Sequence, residues 1–225
     1  ELLTLARTNN CVLQVGHVER FNPVMRYLNE VLTEARFIEV HRLSSYPGRS
    51  IDIGVVLDLM IHDLDVVLSL VKAPLVSFDA VGIPVLSTSE DIANARLKFA
   101  NGCVANITAS RVSAEKMRKI RIFGRSTYGA AYISLDYMKQ EGELYRVAAD
   151  DAQESGLLKK LLAGKHASIV SEFAGKKIVR EPVPIERDEP LKLELQHFIE
   201  SCRLRRDPRI KALQEKYADD RQQQS

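Results

Sequence analysis

The sequence predicts an α/β chain, most of it an α+β unit built on a large open sheet. That sheet is expected to be mixed but mainly antiparallel, with helices on one face. Three observations carry this. Residues 93–99 and 103–110 alternate apolar and polar, and the Asn101-Gly102 pair between them is a strong hairpin signal. Further strand-like runs follow at 119–123, 131–135, 143–147 and 176–185. Ala93, Ala95, Leu97 and Phe99, with Cys103, Ala105, Ile107 and Ala109, make one face apolar and suited to lie under helices. The other face carries Asn94, Arg96, Lys98, Asn106, Thr108 and Ser110, with Ile92, Val104 and Ile120 or Ile122 as apolar additions.

The elements follow in order. Residues 1–8 read as the end of a helix and 11–17 as a short strand ending in Gly16-His17. A polar turn leads to a helix from residue 24 to about 35, with Asn22 as N-cap and Pro23 at the first helical position. A strand at 36–45 ends in Tyr46-Pro47-Gly48-Arg49-Ser50, which has turn chemistry. A helix spans about 54–71 and stops before Pro74; a strand follows at 76–83. Residues 150–167 read as a loop with a short helix, and the strand at 176–185 is interrupted by Pro182 and Pro184. Residues 190–203 form an amphipathic helix with Leu191, Leu195, Phe198 and Ile199 inward. The tail, 211–225, is polar.

The chain has 225 residues, 45% hydrophobic, enough for a substantial core, and its net charge of +2 points to no nucleic-acid surface. No apolar run is long enough to span a bilayer and no signal peptide is present. Cys11, Cys103 and Cys202 are odd in number and far apart, so neither a disulfide framework nor a metal site is expected. A reducing cytoplasm is the default expectation.

The segment from Val55 to Asp65 carries the chemistry. Asp58 and His62 are four apart, and His62 and Asp65 three apart, so all three fall on one side of an otherwise apolar helix. An imidazole oriented by carboxylates is what proton transfer near neutrality requires. The structural alternative is a core histidine satisfied by Asp58, with Asp63 solvated or capping. His166 and His197 read as surface residues.

A second stretch, Gly16-His17-Val18-Glu19-Arg20-Phe21-Asn22-Pro23, places polar groups at the end of a strand, where open α/β folds put ligands. With Asp58-x-x-x-His62-Asp63-x-Asp65 and the hairpin from Ser89 to Arg111, it resembles the Gfo/Idh/MocA family of NAD(P)-dependent sugar oxidoreductases, over about residues 1–206. The resemblance implies that residues 1–22 end a Rossmann cofactor domain and that 23–210 form the substrate and oligomerisation domain, followed by the 211–225 tail. It implies an oxidoreductase acting on a hydroxyl of a sugar or nucleotide sugar, with His62 as acid/base and Asp58 binding and orienting substrate. Arg20, Asn22, His41 and Asp65 become candidate substrate ligands. His17 either faces the NAD or NADP cofactor or caps its strand. The runs 118–123 and 131–137 resemble a subgroup acting on UDP-N-acetylglucosamine at the 3-hydroxyl. The family's Glu-Lys-Pro motif and a G-x-G-x-x-G turn are both missing from these residues, and the first residue is Glu1. A fragment is therefore expected, binding NAD(H) weakly by itself. The alternatives are a non-catalytic binding or oligomerisation module and an inactive truncated chain. A homodimer or homotetramer contacting through the hairpin sheet is expected, partly because an open mixed face favours a two-fold mate.

Overall fold

The structure, a computed structural model, describes residues 1–46, 52–147, 168–173 and 176–204. The chain divides into two compact units, Glu1–Asn22 with Arg187–Ser225, and Pro23–Glu186.

The larger unit is a nine-stranded sheet among the described residues, in the order β2-β3-β4-β1-β5-β6-β7-β9-β8. The strands are β1 (Leu32–Leu43), β2 (Leu75–Ile83), β3 (Ile92–Phe99), β4 (Val104–Ser110), β5 (Met117–Ser126), β6 (Gly129–Asp136), β7 (Glu141–Val147), β8 (Ser168–Phe173) and β9 (Lys176–Pro182). Only β1 and β4 run parallel; every other neighbouring pair is antiparallel. The predicted α+β sheet, mixed and mainly antiparallel, is thus present.

Alternation decides which face is covered. Ile38 and Val40 on β1, Ala105 and Ile107 on β4, and Ile120 and Ile122 on β5 are fully or almost fully buried. Over them pack α2 (Pro23–Val31), through Val24, Met25 and Leu28, and α3 (Ile61–Leu70), through Val66 and Val67. Ile120 and Ile122 therefore belong to the core and not to the open face, as the pairing Val40↔Ile120 requires.

Several boundaries differ from expectation. The helix α2 ends at Val31, and β1 begins at Leu32, because β5 is long enough to pair it from Leu32↔Ser126 onward. Available pairing partners override helix propensity here. Gly124 permits this approach, since a Cβ there would strike the Glu34 carbonyl. The β3–β4 turn holds three residues, Ala100 to Gly102, closed by Phe99 N–H donating to Cys103 O at 2.9 Å. Gly102 supplies the left-handed residue of that turn, at φ +81°. The strand β8 has no counterpart among the elements expected from sequence. The turn expected at 47–50, the loop with a short helix at 150–167 and the polar tail at 211–225 lie outside the described residues.

The smaller unit holds α1 (Leu2–Thr8), a 3₁₀ turn at Val18–Phe21 and α4 (Pro190–Leu204). Residues 11–17 read as a strand in sequence, but they form no ladder, since no described strand pairs with them. Helix α4 departs from expectation at three of its four positions, Phe198 alone being partly buried. Glu194 and Ser201 are buried, whereas Leu191, Leu195 and Ile199 are about half exposed. Its inward side is set by His197, which packs against Phe21 with ring centroids 5.3 Å apart and bonds Gln14 Oε1 at 3.3 Å. His197 is accordingly no surface residue.

Cys103 is 1% exposed, and burial, with the Glu34 charge, pushes its thiol up to about 11. Cys11 and Cys202 are exposed. In native protein an aromatic disulfide reagent is expected to titrate Cys11 and Cys202 at once and Cys103 only after denaturation. Prompt reaction of Cys103 would mean that the β3–β4 core opens readily.

Candidate active site

The site helix starts at Val55 as a turn of π-helix, Val56–Met60, in which Ile61 N–H reaches back to Val56 O, and it continues as α3. π turns recur at functional sites because they displace side chains from the regular α positions. Met60, Asp63, Val66 and Val67 face the sheet and are buried. Asp58, His62 and Asp65 are half-buried, and the Nδ1 of His62 is itself buried. His62 and Asp65 are three apart on α3 and so lie on one side of it, while Asp58 belongs to the π turn before it.

Asp63 is not solvated. It is 1% exposed and takes a bidentate pair from Arg42, whose Nε and Nη2 each lie 2.8 Å from a carboxylate oxygen. Arg42 sits on the buried face of β1, two residues beyond Val40. A buried guanidinium demands such a partner.

The start of the helix is held separately. Val55 N–H donates to Glu90 O at 2.8 Å and Val56 N–H to Glu90 Oε1 at 3.3 Å. Gly54 makes room for that carboxylate, because a Cβ there would overlap it. Beside it, Arg111 and Asp91 are both 0% exposed and paired at 2.8 Å. Arg111 also donates to Ile53 O at 2.7 Å and to the hydroxyls of Ser87 and Ser89. Neither charge is among the sequence candidates, although a signal for them exists. Asp91 and Arg111 form the next rung beyond Ile92↔Ser110, so the hairpin register alone sets them opposite each other.

Burial pushes the Asp91 carboxyl up, but N–H donors from Val85, Leu86 and Ser87, together with Arg111, outweigh it and hold the group well below the usual carboxylate range. A carboxyl depressed in the folded state stabilises the fold above its unfolded value, about 3.9, and that stability is lost as the pH falls below it. Denaturant titrations are expected to show a steep fall in stability below about pH 4. Asp91→Asn should be weaker at neutral pH and flatter on the acid side. An unchanged acid slope in that variant would assign the loss to other carboxylates.

Of the remaining candidates, His41 lies on the face of β1 opposite Arg42, level with Thr108 and Lys119. The structure does not bring it to the site helix, because adjacent strand residues point to opposite faces. His17, Arg20 and Asn22 lie in the smaller unit. There the Asn22 amide donates to Glu19 Oε2 at 3.2 Å, both residues being buried. Among the described residues no group of His, Cys, Asp and Glu is placed to hold a metal ion, and no helix is long and apolar enough to cross a membrane.

Residues 33–127 match the family model described as GFO/IDH/MocA C-terminal domain, the family that the motifs resemble. The UDP-N-acetylglucosamine 3-dehydrogenase of Acidithiobacillus ferrooxidans is 38% identical over 149 residues, 66% of this chain and 46% of that protein. The solved structure of UDP-N-acetylglucosamine 3-dehydrogenase GnnA from that organism has a TM-score of 0.75 at 31% identity, covering 92% of this chain and 59% of that one. A dehydrogenase (MviM) from Clostridium difficile shares the fold, with a TM-score of 0.65 at 16% identity, over 97% of this chain and 65% of that one. The chain spans about half the length of the curated relative it matches.

Proposed function

We propose that the whole protein is an NAD(P)-dependent oxidoreductase acting on a hydroxyl of a sugar or nucleotide sugar, and that this chain supplies the substrate side and the proton-transfer group. UDP-N-acetylglucosamine, oxidised at the 3-hydroxyl, is the favoured substrate, since the relative named for that activity is 38% identical. The observation that carries the reading is the set of Asp58, His62 and Asp65 on a helix clamped at its start by Glu90 and Arg111 and in its middle by Arg42.

In this reading His62 accepts the proton of the substrate hydroxyl as hydride leaves the same carbon, turning the alcohol into a ketone. Asp58 accepts a hydrogen bond from a substrate hydroxyl and favours the imidazolium that forms. Asp65 is a further substrate contact, and His41 takes no part. The nicotinamide would supply the hydride acceptor. The 225 residues hold no glycine-rich turn for a dinucleotide pyrophosphate.

The test is turnover by the full-length protein of UDP-N-acetylglucosamine with NAD⁺ or NADP⁺, followed as reduced nicotinamide and as the 3-keto product. Absence of turnover with nucleotide sugars and free sugars alike would leave a binding module.

The homo-oligomer has support of its own. Phe37, Phe123, Tyr132 and Tyr145 occupy one continuous row of rungs across β1, β5, β6 and β7 on the open face. Phe123 and Tyr132 stack with centroids 4.5 Å apart, and Phe123 is 41% exposed. Polar groups nearby are satisfied within the chain, Asn94 by Thr108 and Arg96 by Asn106. An aromatic row amid satisfied polar groups suits the dry centre of an interface. Light scattering at tens of micromolar is expected to show a dimer or tetramer, and Phe123→Glu with Tyr132→Glu should dissociate it. A strict monomer would sink the proposal.

A further inference from the structure

We propose that Asp63, through its ion pair with Arg42, is the positioning residue that sets the rotation of the site helix and hence the direction in which His62 points. The functional consequence rests on the oxidoreductase reading, but the geometry does not. The contacts that Val66 and Val67 of α3 make in the core are apolar. Apolar packing is non-directional and tolerates a small roll of the helix. The Arg42–Asp63 pair does not. A planar guanidinium fork meets both carboxylate oxygens at 2.8 Å, with the two side chains 4% and 1% exposed. That arrangement is satisfied at one orientation only.

The π turn makes this lock necessary. The clamps from Glu90 and Arg111 act on residues 53–56, before or at the π turn. The extra residue of a π turn rotates the side chains beyond it away from their regular α positions, so an anchor after the turn is what fixes their direction. Asp63 makes a directional side-chain bond to the sheet beyond that turn, and it directly follows His62 in the chain. Holding Asp63 toward the sheet therefore holds His62 on the adjacent stripe.

The test uses Arg42→Lys in the full-length protein. This change keeps the charge, removes the second hydrogen bond to Asp63, and lies on β1 rather than on the site helix. We expect a folded protein whose His62 imidazole NMR signals shift while those of His197 stay. We also expect kcat to fall by about tenfold or more with the nucleotide KM nearly unchanged, since a misplacement near 1 Å can cost on the order of 10²-fold. Asp63→Asn, which keeps the shape and loses the charge, should show the same split. Unmoved His62 signals in either folded variant would overturn the proposal, as would unchanged kcat accompanied by a lowered melting temperature alone. If His62→Ala retains turnover, the oxidoreductase reading fails, while the imidazole signals still decide whether Asp63 positions His62.

Discussion

Replacing His62 by alanine in the full-length protein is expected to cut turnover by about 10²- to 10⁴-fold and to leave nucleotide affinity nearly unchanged. The reason is local. His62 is half-buried on a helix whose neighbouring stripe is buried, with carboxylates about one turn to either side. Among the described residues no other histidine shares that helix, so no neighbour of the same kind can take over the proton. Asp58→Asn should impair both turnover and sugar binding, because it removes an acceptor for a substrate hydroxyl together with an orienting charge. Steady-state kinetics with the sugar and the nucleotide varied in turn separate the two outcomes. Near-normal turnover in His62→Ala would return the residue to a structural role.

Arg42→Leu is expected to cost about 3–5 kcal/mol of folding stability, the usual result of leaving one member of a buried ion pair without its counter-charge. Asp63 would remain in the core, 1% exposed, having lost both guanidinium hydrogen bonds. Chemical denaturation of the variant measures this directly. Adding Asp63→Leu should recover much of the loss, because two apolar side chains need no desolvated partner. Recovery of stability without recovery of turnover would fit a pair retained for orientation. A single variant within about 1 kcal/mol of the parent would show that water or another cation reaches Asp63.

Much of the larger unit is legible in sequence because its signals are local. The alternation in 93–99 and 103–110 names the buried face residue by residue, and Ala93 through Ala109 on that face are 6% exposed or less. Asn101-Gly102 locates the hairpin, although the turn closes with three residues rather than two. The spacing of His62 and Asp65 places them on one side of α3, with Asp58 in the π turn before it. Where local signals are opposed by distant ones, the sequence misleads. The α2–β1 boundary moves because β5 offers pairing, and α4 presents Glu194 and Ser201 inward although Leu191, Leu195 and Ile199 form the more apolar stripe.

The sequence by itself determined most strands of the larger unit, the covered face of the central hairpin, the spacing of the titratable groups and the family likeness. Each of these depends on side-chain periodicity or on motif order within one segment. Only the tertiary structure decided that β1 lies parallel to β4 and antiparallel to β5, that His41 faces away from the site helix, and that Asp63 is a buried ion-pair partner. Those outcomes depend on which distant segments meet. A carboxylate reads the same in sequence whether it faces water or a guanidinium 21 residues away, and the energy of burying it is set entirely by that partner.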